Sequence, residues 1–346
     1  MTSVQEFEKT LDQSDKSVAS FEDRSPLRRI QHFLHSTPAA IPAIVLIFSI
    51  IVFGVLKGER FFTAGTLTLI LQQIAVVGIL GAAQTLIILT AGIDLSIGVI
   101  MVLSAVVMGN CAVTYGLPAP LAILAGFVTG TVCGMANGFL VSRMKLPPFI
   151  VTLGSLTAVR GVARLLGQDT TVFNPDLPFE AIGNGTIFGV PWLAIIALVT
   201  IVISWFVLRR TVLGTWIYAV GGNPEAARLA GIKVPFVLLF VYGLSGLFAG
   251  VGGVMTAARL YAANGLQLGQ SYELDAIAAV ILGGTSFVGG VGSIWGTLIG
   301  ALIIAVLSNG LILVGVSDIW QYIIKGLVII GAVGLDRYRL KGLSRT

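Results

Sequence analysis

A short stretch in a polar part of the chain combines several signals for a small, isolated helix. Asn223 is a preferred N-cap residue, and Pro224 suits the first helical position. Glu225 then lies at the positive end of the helix dipole, and Arg228 lies at its negative end. Gly231 can adopt the left-handed conformation that ends a helix. Because a two-turn helix is too short to be stable in water alone, it must pack against its own protein or dock on a partner.

A single carboxylate interrupts an otherwise apolar region. Asp94 is followed by Ser96 and flanked by Gly92 and Gly98, a pattern typical of a turn or a broken helix near membrane depth. An ionisable residue at the centre of a membrane helix costs about 2.5–3.5 kcal/mol, so a specific role is expected for it. Asp94 either accepts backbone N–H groups as a helix cap or provides a hydrogen-bonding wall for the hydroxyl groups of a solute.

Other polar side chains within apolar stretches are candidates for a polar path across the membrane. They can equally hydrogen-bond one helix to another. The candidate path comprises Gln84, Asp94, Ser96, Asn137, Thr152 and Asn309. Two cations, Arg160 and Lys325, also fall within apolar stretches, where they are expected to reach an interface or to pair with a carbonyl.

No pattern in the sequence is typical of a catalytic or metal-binding site, and no cofactor is predicted. Cys111 and Cys133 lie in apolar stretches without metal-ligand spacing, so both are interpreted as buried small side chains. The chain contains no Gly-Lys dipeptide, which excludes a phosphate-binding Gly-x-x-x-x-Gly-Lys-Ser/Thr loop. If ATP drives this protein, a separate subunit is therefore expected to hydrolyse it.

The composition is that of a membrane-spanning chain. Of its 346 residues, 56% are apolar and 11% are charged, whereas about 25% are charged in a typical soluble protein. The segments Leu95–Ser142 and Ala276–Ser317 contain no Asp, Glu, Lys or Arg, and each is long enough for two spans of about 20 residues. The net charge of +5 is distributed between the apolar stretches. This distribution indicates membrane topology and argues against nucleic-acid binding.

The apolar pattern predicts an all-α polytopic membrane protein with about ten transmembrane helices. The predicted spans are 39–56, 67–90, 97–113, 119–141, 148–163, 189–208, 234–256, 274–290, 294–314 and 319–335. Most Lys and Arg residues then share one side of the membrane, which places both termini in the cytoplasm. Asn137-Gly138 recurs as Asn309-Gly310 in spans of opposite direction. This echo favours two inverted five-helix repeats, although a Gly-rich chain can repeat Asn-Gly by chance.

The segments outside the spans complete the predicted organisation. Residues 1–24 are polar and of mixed charge, and they are expected to form a mobile cytoplasmic tail. Residues 25–37 place apolar side chains on one helical face, which predicts an interfacial helix on the membrane surface. The transmembrane domain covers 38–336, with a cytoplasmic loop at 209–233, and 337–346 form a basic cytoplasmic tail.

Several strings, in the family's order, resemble the permeases of ribose-, xylose- and fructose-type importers. They are Ala91–Gly98, Pro148–Gly154, Gly221–Gly231 and Leu274–Ser286. Within the third string, Glu225-Ala226-Ala227 followed by Gly231 resembles the Glu-Ala-Ala loop of ATP-binding cassette (ABC) importer permeases, which fits into a groove on the ATPase subunit. The similarity covers about residues 40–335 and looks closest to fructose-type members.

The resemblance implies a non-catalytic transport subunit in a bacterial inner membrane. Its expected ATPase-coupling residues are Asn223, Glu225, Ala226, Ala227, Arg228 and Gly231. The expected partners are an ABC ATPase subunit, a periplasmic sugar-binding protein, a second copy of the chain, membrane lipid, and a monosaccharide of fructose or ribose type as substrate. An ion-coupled secondary transporter is the alternative. It is disfavoured because such coupling usually needs buried carboxylates, and only Asp94 clearly qualifies in the sequence.

Overall fold

Apolar stretches of this chain fold into long helices, since a helix satisfies its backbone hydrogen bonds internally and needs no water to do so. The computed structural model describes residues 40–168, 171–173, 179–265 and 271–343. The predicted tail at 1–24 and the predicted interfacial helix at 25–37 lie outside the described residues. From Pro42 onward the chain forms one compact unit.

Helices account for most of the described chain, with two very small sheets beside them. The helices are α1 Ala40–Lys57, α2 Ala64–Leu89, α3 Ile97–Val113, α4 Ala119–Ser142, α5 Pro148–Gly167, α6 Glu180–Gly183, α7 Trp192–Arg210, α8 Val212–Gly222, α9 Pro224–Leu229, α10 Val234–Leu260, α11 Tyr272–Leu282, α12 Ile294–Val314 and α13 Asp318–Leu343, with a 3₁₀ turn at Gly58–Arg60. The strands are β1 Thr171–Phe173, β2 Thr186–Ile187, β3 Val190–Pro191 and β4 Ala262–Asn264. β1 pairs with β4 and β2 pairs with β3, both antiparallel.

Seven helices in the described ranges are long and apolar enough to cross a membrane: α1, α2, α4, α5, α7, α10 and α12. Each corresponds to a predicted span. The other three predicted spans overlap with α3, α11 and α13, of which α3 has 17 residues and α11 has 11. The membrane-spanning character of the chain is thereby confirmed, and the count of about ten spans stays a prediction.

The predicted span 274–290 is wrong in its second half. α11 ends at Leu282, and a loop rich in glycine follows it. Gly289 has a φ of +94°, and a Cβ there would lie 2.9 Å from both the Ala91 nitrogen and the Gly221 oxygen. The chain is therefore non-helical where its backbone packs directly against the backbone of Ala91 and Gly221. At the other end of the chain, α13 continues to Leu343, so the predicted tail at 337–346 begins inside a helix.

The core is built around α2, α3 and α10, which contribute most of the main buried apolar cluster. α4 joins this core through an unusually close backbone contact with α10. A Cβ added at Gly130 would lie 2.3 Å from the Gly246 carbonyl oxygen, and one added at Gly134 would lie 2.3 Å from the Tyr242 oxygen. Small residues at such a crossing let two membrane helices approach closely, and the resulting van der Waals contact is one source of attraction between helices in lipid.

Candidate functional sites

The short helix predicted from Asn223 onward forms as α9, and its start is capped as expected. Asn223 has extended backbone angles, and its Oδ1 accepts the N–H groups of Glu225 and Ala226, both at 3.0 Å. Pro224 occupies the first helical position, where no N–H is needed. The sequence prediction of an Asn cap is confirmed by these two hydrogen bonds.

The end of α9 is fixed by a glycine turn and by one buried side chain. Gly231 has a φ of +86°, and its N–H donates to the Arg228 carbonyl at 3.0 Å. The Ile232 N–H donates to the Ala227 carbonyl at the same distance. Ala227 is buried against the rest of the chain, whereas Leu229 is 77% exposed. The helix is thus attached to its own protein by one face and presents the other face outward.

The outward face of α9 carries an ion pair. The Arg228 Nε donates to both carboxylate oxygens of Glu225 at 3.2 Å, and its Nη2 donates to Oε1. The hydrogen bond from Arg228 lowers the pKa of Glu225, and the same contact raises the pKa of Arg228. Both groups are therefore charged at neutral pH. Exposed pairs of this kind contribute little to stability, so the contact mainly holds the two side chains in a defined orientation.

A second group of polar side chains is buried deep between the helices. The Asp94 Oδ1 accepts the backbone N–H of Ser96 at 2.7 Å and the Ser96 hydroxyl at 2.6 Å. The Asn137 Nδ2 donates to the Ser96 Oγ at 2.9 Å, and the Ser155 hydroxyl donates to the Asn137 Oδ1. These bonds connect the segment before α3 with α4 and α5. Asp94 therefore makes a local turn contact with Ser96, the residue before α3, and not the predicted cap on N–H groups within the helix.

Two more of the predicted path residues join this group. The Gln84 amide, oriented to satisfy both of its hydrogen bonds, donates to the Asp94 carbonyl and accepts the Asp94 N–H, each at 3.2 Å. The Thr152 hydroxyl donates to the Ile93 carbonyl at 3.0 Å. We call Gln84, Asp94, Ser96, Asn137 and Thr152 the buried polar cluster. All five are at most 2% exposed, so their polar groups are satisfied by one another and by nearby backbone.

The sixth predicted path residue lies apart from the cluster. The Asn309 Nδ2 on α12 donates to the Gln73 Oε1 on α2 and to the Ala305 carbonyl. This contact joins two helices, which was the alternative interpretation of such residues. Five of the six predicted residues therefore form one cluster, and Asn309 belongs to a different helix contact.

Sequence reasoning missed two buried carboxylates on α11. Glu273 and Asp275 are each only 9% exposed, so the expectation that Asp94 alone is a clearly buried carboxylate was wrong. The Lys325 Nζ on α13 contacts the Asp275 Oδ2 at 3.0 Å, which shows a carboxylate partner for Lys325 in place of the expected carbonyl or interface. In the described residues the Glu273 Oε2 has no hydrogen-bond partner and packs against Gly98 at the start of α3. The sequence did offer one signal for this pairing: Asp275 and Lys325 carry opposite charges and both lie within apolar stretches.

A cavity of about 680 Å³ lies beside α9, where α9, the start of α10 and the turn between α4 and α5 meet. Pro224, Glu225 and Arg228 line it on the side of α9. Gly92 and Tyr242 line it next to the segment that carries Asp94. The turn between α4 and α5 supplies a further wall. The cavity therefore adjoins α9 and the segment after α2, whereas none of the five residues of the buried polar cluster lines it.

These features define a class of protein: a multi-pass membrane transport protein, with long apolar helices around a buried polar cluster and a cavity beside an exposed, capped helix. The family model described as "Branched-chain amino acid transport system / permease component" matches residues 66–333. The chain belongs to this family, and it is a permease component, a transport subunit without catalytic activity of its own.

Curated relatives resemble the chain over most of its length. It is 47% identical to the fructose import permease protein FrcC of Rhizobium meliloti, over 96% of this chain and 95% of the relative. It is 42% identical to the ribose import permease protein RbsC of Bacillus subtilis, over 78% of this chain and 83% of the relative. It is 39% identical to the D-allose transport system permease protein AlsC of Escherichia coli, over 85% and 90%. No solved structure shows a significant match.

Proposed function

We propose that this chain is the membrane-spanning subunit of an ABC importer that moves a monosaccharide from the periplasm to the cytoplasm across a bacterial inner membrane. The observation that carries the proposal is the 47% identity to a fructose import permease over nearly the full length of both chains. Fructose is the first candidate substrate, and ribose is the second. ATP is hydrolysed by a partner ATPase, and a periplasmic sugar-binding protein delivers the substrate.

In this proposal α9 is the element that docks on the ATPase. Its fixed N-cap, the Glu225–Arg228 pair and the exposed Leu229 give it a rigid outward face of defined charge and shape. Ala227 attaches its other face to the permease, so a displacement of α9 by the ATPase is transmitted to the bundle. A second copy of the chain would supply a second α9, matching two ATPase subunits.

The proposed topology has ten spans, with α3, α11 and α13 added to the seven helices that are long and apolar enough by themselves. Both termini are then cytoplasmic, and α9 lies on the cytoplasmic side, where the ATPase is found. The shortness of α3 and α11 is compatible with this topology, because discontinuous helices are common in transporters built from two inverted repeats. The Asn137 and Asn309 echo supports such repeats.

The buried polar cluster is proposed to lie beside the translocation path and to hold its wall together. Its members bond to one another and to backbone, so their polar groups already have partners without a sugar. Glu273, in contrast, has an unpartnered oxygen, which is the one feature that an ion-coupled transporter would also use. The resemblance to import permeases favours ATP-driven transport over that alternative.

The test is uptake of radiolabelled fructose and ribose by cells that carry this chain with its ATPase and binding protein. Glu225→Lys should reduce uptake by about tenfold or more, because reversing a charge at the centre of a docking surface commonly costs above about 1.4 kcal/mol. Glu59→Lys is the matched control, since it reverses an exposed carboxylate beside α1, away from α9. Its uptake should equal that of the wild type.

The outcomes separate the two transport mechanisms. Loss of uptake in Glu225→Lys, with normal amounts of the protein in the membrane, supports ATPase docking through α9. Uptake that continues without the ATPase would contradict the ABC mechanism and would favour ion coupling instead. Uptake of neither sugar by the wild type would contradict the proposed substrate.

A further inference from the structure

The β2–β3 hairpin presents a bulky apolar side chain in a turn whose backbone does not suit it. Phe188 and Gly189 form the turn, with φ values of +51° and +81°. Two successive positive φ values are typical of the hairpin turn that favours Asn-Gly, and a bulky residue in that conformation is an outlier. The Phe188 side chain is fully exposed, so packing among the described residues does not offset the strain. Its position therefore points to a contact outside the chain.

Two contacts fix the level of the hairpin along the helix bundle. Val190 of β3 lines the same groove as Leu71 and Ile74 of α2. Further along both helices, a Cβ added at Gly78 of α2 would lie 3.6 Å from the Cδ1 of Ile201 on α7. The two helices therefore run side by side in the same direction. Leu71 lies about 10 Å along α2 from its first residue, so the hairpin lies beside the first turns of α2 and not beyond its end.

The surface at this level has the composition of a surface that lipid covers. Leu67, Leu69 and Leu71 of α2 are 38–50% exposed, and α2 is apolar enough to cross a membrane. Residues 181–208, which contain the hairpin and most of α7, include no Asp, Glu, Lys or Arg. Exposed apolar patches mark protein or membrane contacts. At this depth, and without charge, the patch suits the acyl chains near the membrane interface.

A groove of about 310 Å³ opens next to the hairpin, between α2, α7 and α12. Every residue that lines it is apolar, including Leu71, Val190, Leu198 and Leu302. Val190 is 41% exposed and Leu198 is 51% exposed, so the groove is open at the surface. It is therefore accessible from the lipid that surrounds α2 and α7.

Three alanines leave space for the groove, because larger side chains in their places would fill it: Ala75, Ala194 and Ala197. An empty groove would leave its lining atoms without van der Waals partners on one side. Water is a poor substitute, since a bound water molecule needs polar partners. One turn of an α-helix, 5.4 Å long and about 10 Å across, already occupies about 400 Å³. A helix from a second copy is therefore too large, whereas a single hydrocarbon chain is narrow enough.

We propose that this groove binds one acyl chain of a membrane phospholipid, and that the hairpin inserts Phe188 into the same leaflet beside it. The groove follows α7 from Ala194 to Ile201, about 10 Å, which fits within the roughly 15 Å of hydrocarbon in one leaflet. Because the lining carries no charge, the site takes the acyl chain whatever the head group. Only the assignment to the periplasmic leaflet rests on the proposed topology.

Retention of phospholipid by the purified permease tests the groove. The chain is reconstituted in nanodiscs of phosphatidylethanolamine and phosphatidylglycerol, extracted in mild detergent and weighed by native mass spectrometry. Ala194→Phe fills the groove. Ala158→Phe is the matched control, because Ala158 is exposed on α5 and does not line the groove. Wild type and Ala158→Phe should retain a phospholipid with either head group, and Ala194→Phe should hold it at an occupancy lower by about fivefold or more.

A spin label at the hairpin tip tests the position of Phe188. Phe188→Cys and Leu229→Cys are each labelled with a nitroxide in nanodiscs, after Cys111 and Cys133 are changed to alanine. Leu229 on α9 is the control, since it is also strongly exposed but lies in a polar part of the chain. Oxygen, which concentrates among acyl chains, should relax the label at position 188 more than a water-soluble nickel chelate does. The order should be reversed at position 229.

The variant Phe188→Asn separates a lipid contact from a folding role. Asparagine suits the positive φ of this turn, so Phe188→Asn should be at least as stable as the wild type in detergent, where thermal unfolding measures it. A lower melting temperature would show that Phe188 packs against its own chain, and it would overturn the proposed insertion into lipid.

Three further results would overturn the proposal. Equal lipid retention in wild type and Ala194→Phe would show that no acyl chain occupies the groove. Retention of phosphatidylglycerol alone would indicate a site for an anionic head group. Preferential relaxation of the label at position 188 by the nickel chelate would place the hairpin in water, where a soluble protein could dock on it. None of these measurements involves a sugar or an ATPase, so their failure is distinguishable from failure of the proposed function, which wild-type uptake measures separately.

Discussion

The docking helix α9 and the buried polar cluster both depend on polar side chains, but they use them differently. In α9 the side-chain hydrogen bonds join residues two or three positions apart, as from Asn223 to Glu225 and Ala226. In the buried polar cluster they cross between helices, as from Asn137 on α4 to Ser96 before α3. The first arrangement makes a small rigid surface, and the second joins distant parts of the chain.

The contrast follows from the surroundings of each region. Water can satisfy any polar group of α9 that loses its partner, so each contact there has a small effect on stability. The side chains of the buried polar cluster are at most 2% exposed, so each group that loses its partner carries the cost of desolvation. Substitutions in the cluster should therefore damage folding, and substitutions on the outer face of α9 should damage transport without damaging folding.

The largest effect on stability is expected for Asp94→Ala. This change removes the acceptor of the Ser96 N–H and hydroxyl, and it leaves both groups buried. At about 1–3 kcal/mol for each unsatisfied group, the free energy of unfolding should fall by roughly 3 kcal/mol or more. Chemical denaturation of the purified protein in detergent measures it. Asp94→Asn keeps an acceptor oxygen, so its free energy of unfolding should lie between those of the wild type and Asp94→Ala. A wild-type stability for Asp94→Ala would contradict the role of the cluster.

Gly130→Ala should have the next largest effect, since α4 and α10 meet there backbone to backbone. The added Cβ would lie 2.3 Å from the Gly246 oxygen, so the helices must move apart. Overpacking of this kind costs about 1–3 kcal/mol. Gly154→Ala on α5 is the matched control, because its Cβ would meet nothing within 4 Å. Thermal unfolding in detergent should show a lower melting temperature for Gly130→Ala only, and equal values would contradict the close contact.

A smaller and more local effect is expected for Asn223→Ala. Loss of the N-cap destabilises a helix by about 1 kcal/mol, which corresponds to roughly a fivefold change in a local opening equilibrium. Hydrogen exchange of the amides of residues 225–231 should accelerate by about that factor, while exchange in α2 stays unchanged. Asn223→Asp should retain slow exchange because aspartate is an equally good cap. Faster exchange throughout the bundle would mean that α9 is part of the core.

The smallest effect on stability is expected for Glu225→Gln. The side chain of Glu225 is 69% exposed, so the melting temperature of the permease should not change measurably. The pKa of Glu225 is lowered by Arg228, so the carboxylate stays charged, and the ion pair stays formed, until the pH falls below the ordinary value of 4.5. Uptake across pH 6–8 should therefore show no step that depends on Glu225. A lower melting temperature in Glu225→Gln would mean that the outer face of α9 also contributes to folding stability, as the buried polar cluster is expected to do.

Several features could be predicted from the sequence because they are local or follow from composition. The helix at Asn223–Gly231 depends on caps and a left-handed glycine within a few residues of one another, and each signal can be read directly. The membrane helices could be predicted because long apolar stretches without charged residues can be read directly from the composition. The prediction failed at the boundary of 274–290, because the apolar run continues past Gly283 and Gly284 while the helix ends at Leu282.

Composition and local signals were sufficient to predict the membrane-spanning helices, the capped helix α9 and the polar residues within apolar stretches. How those polar residues pair could be seen only in the folded chain. It brought Gln84, Asp94 and Asn137 into one cluster, left Asn309 apart, and joined Lys325 to Asp275 across 50 positions of the chain. The physical reason is that a polar group in lipid is costly if it stays unpaired, and any suitable hydrogen-bond partner removes that cost. Its presence can therefore be read from the sequence, whereas its partner is chosen by helix packing.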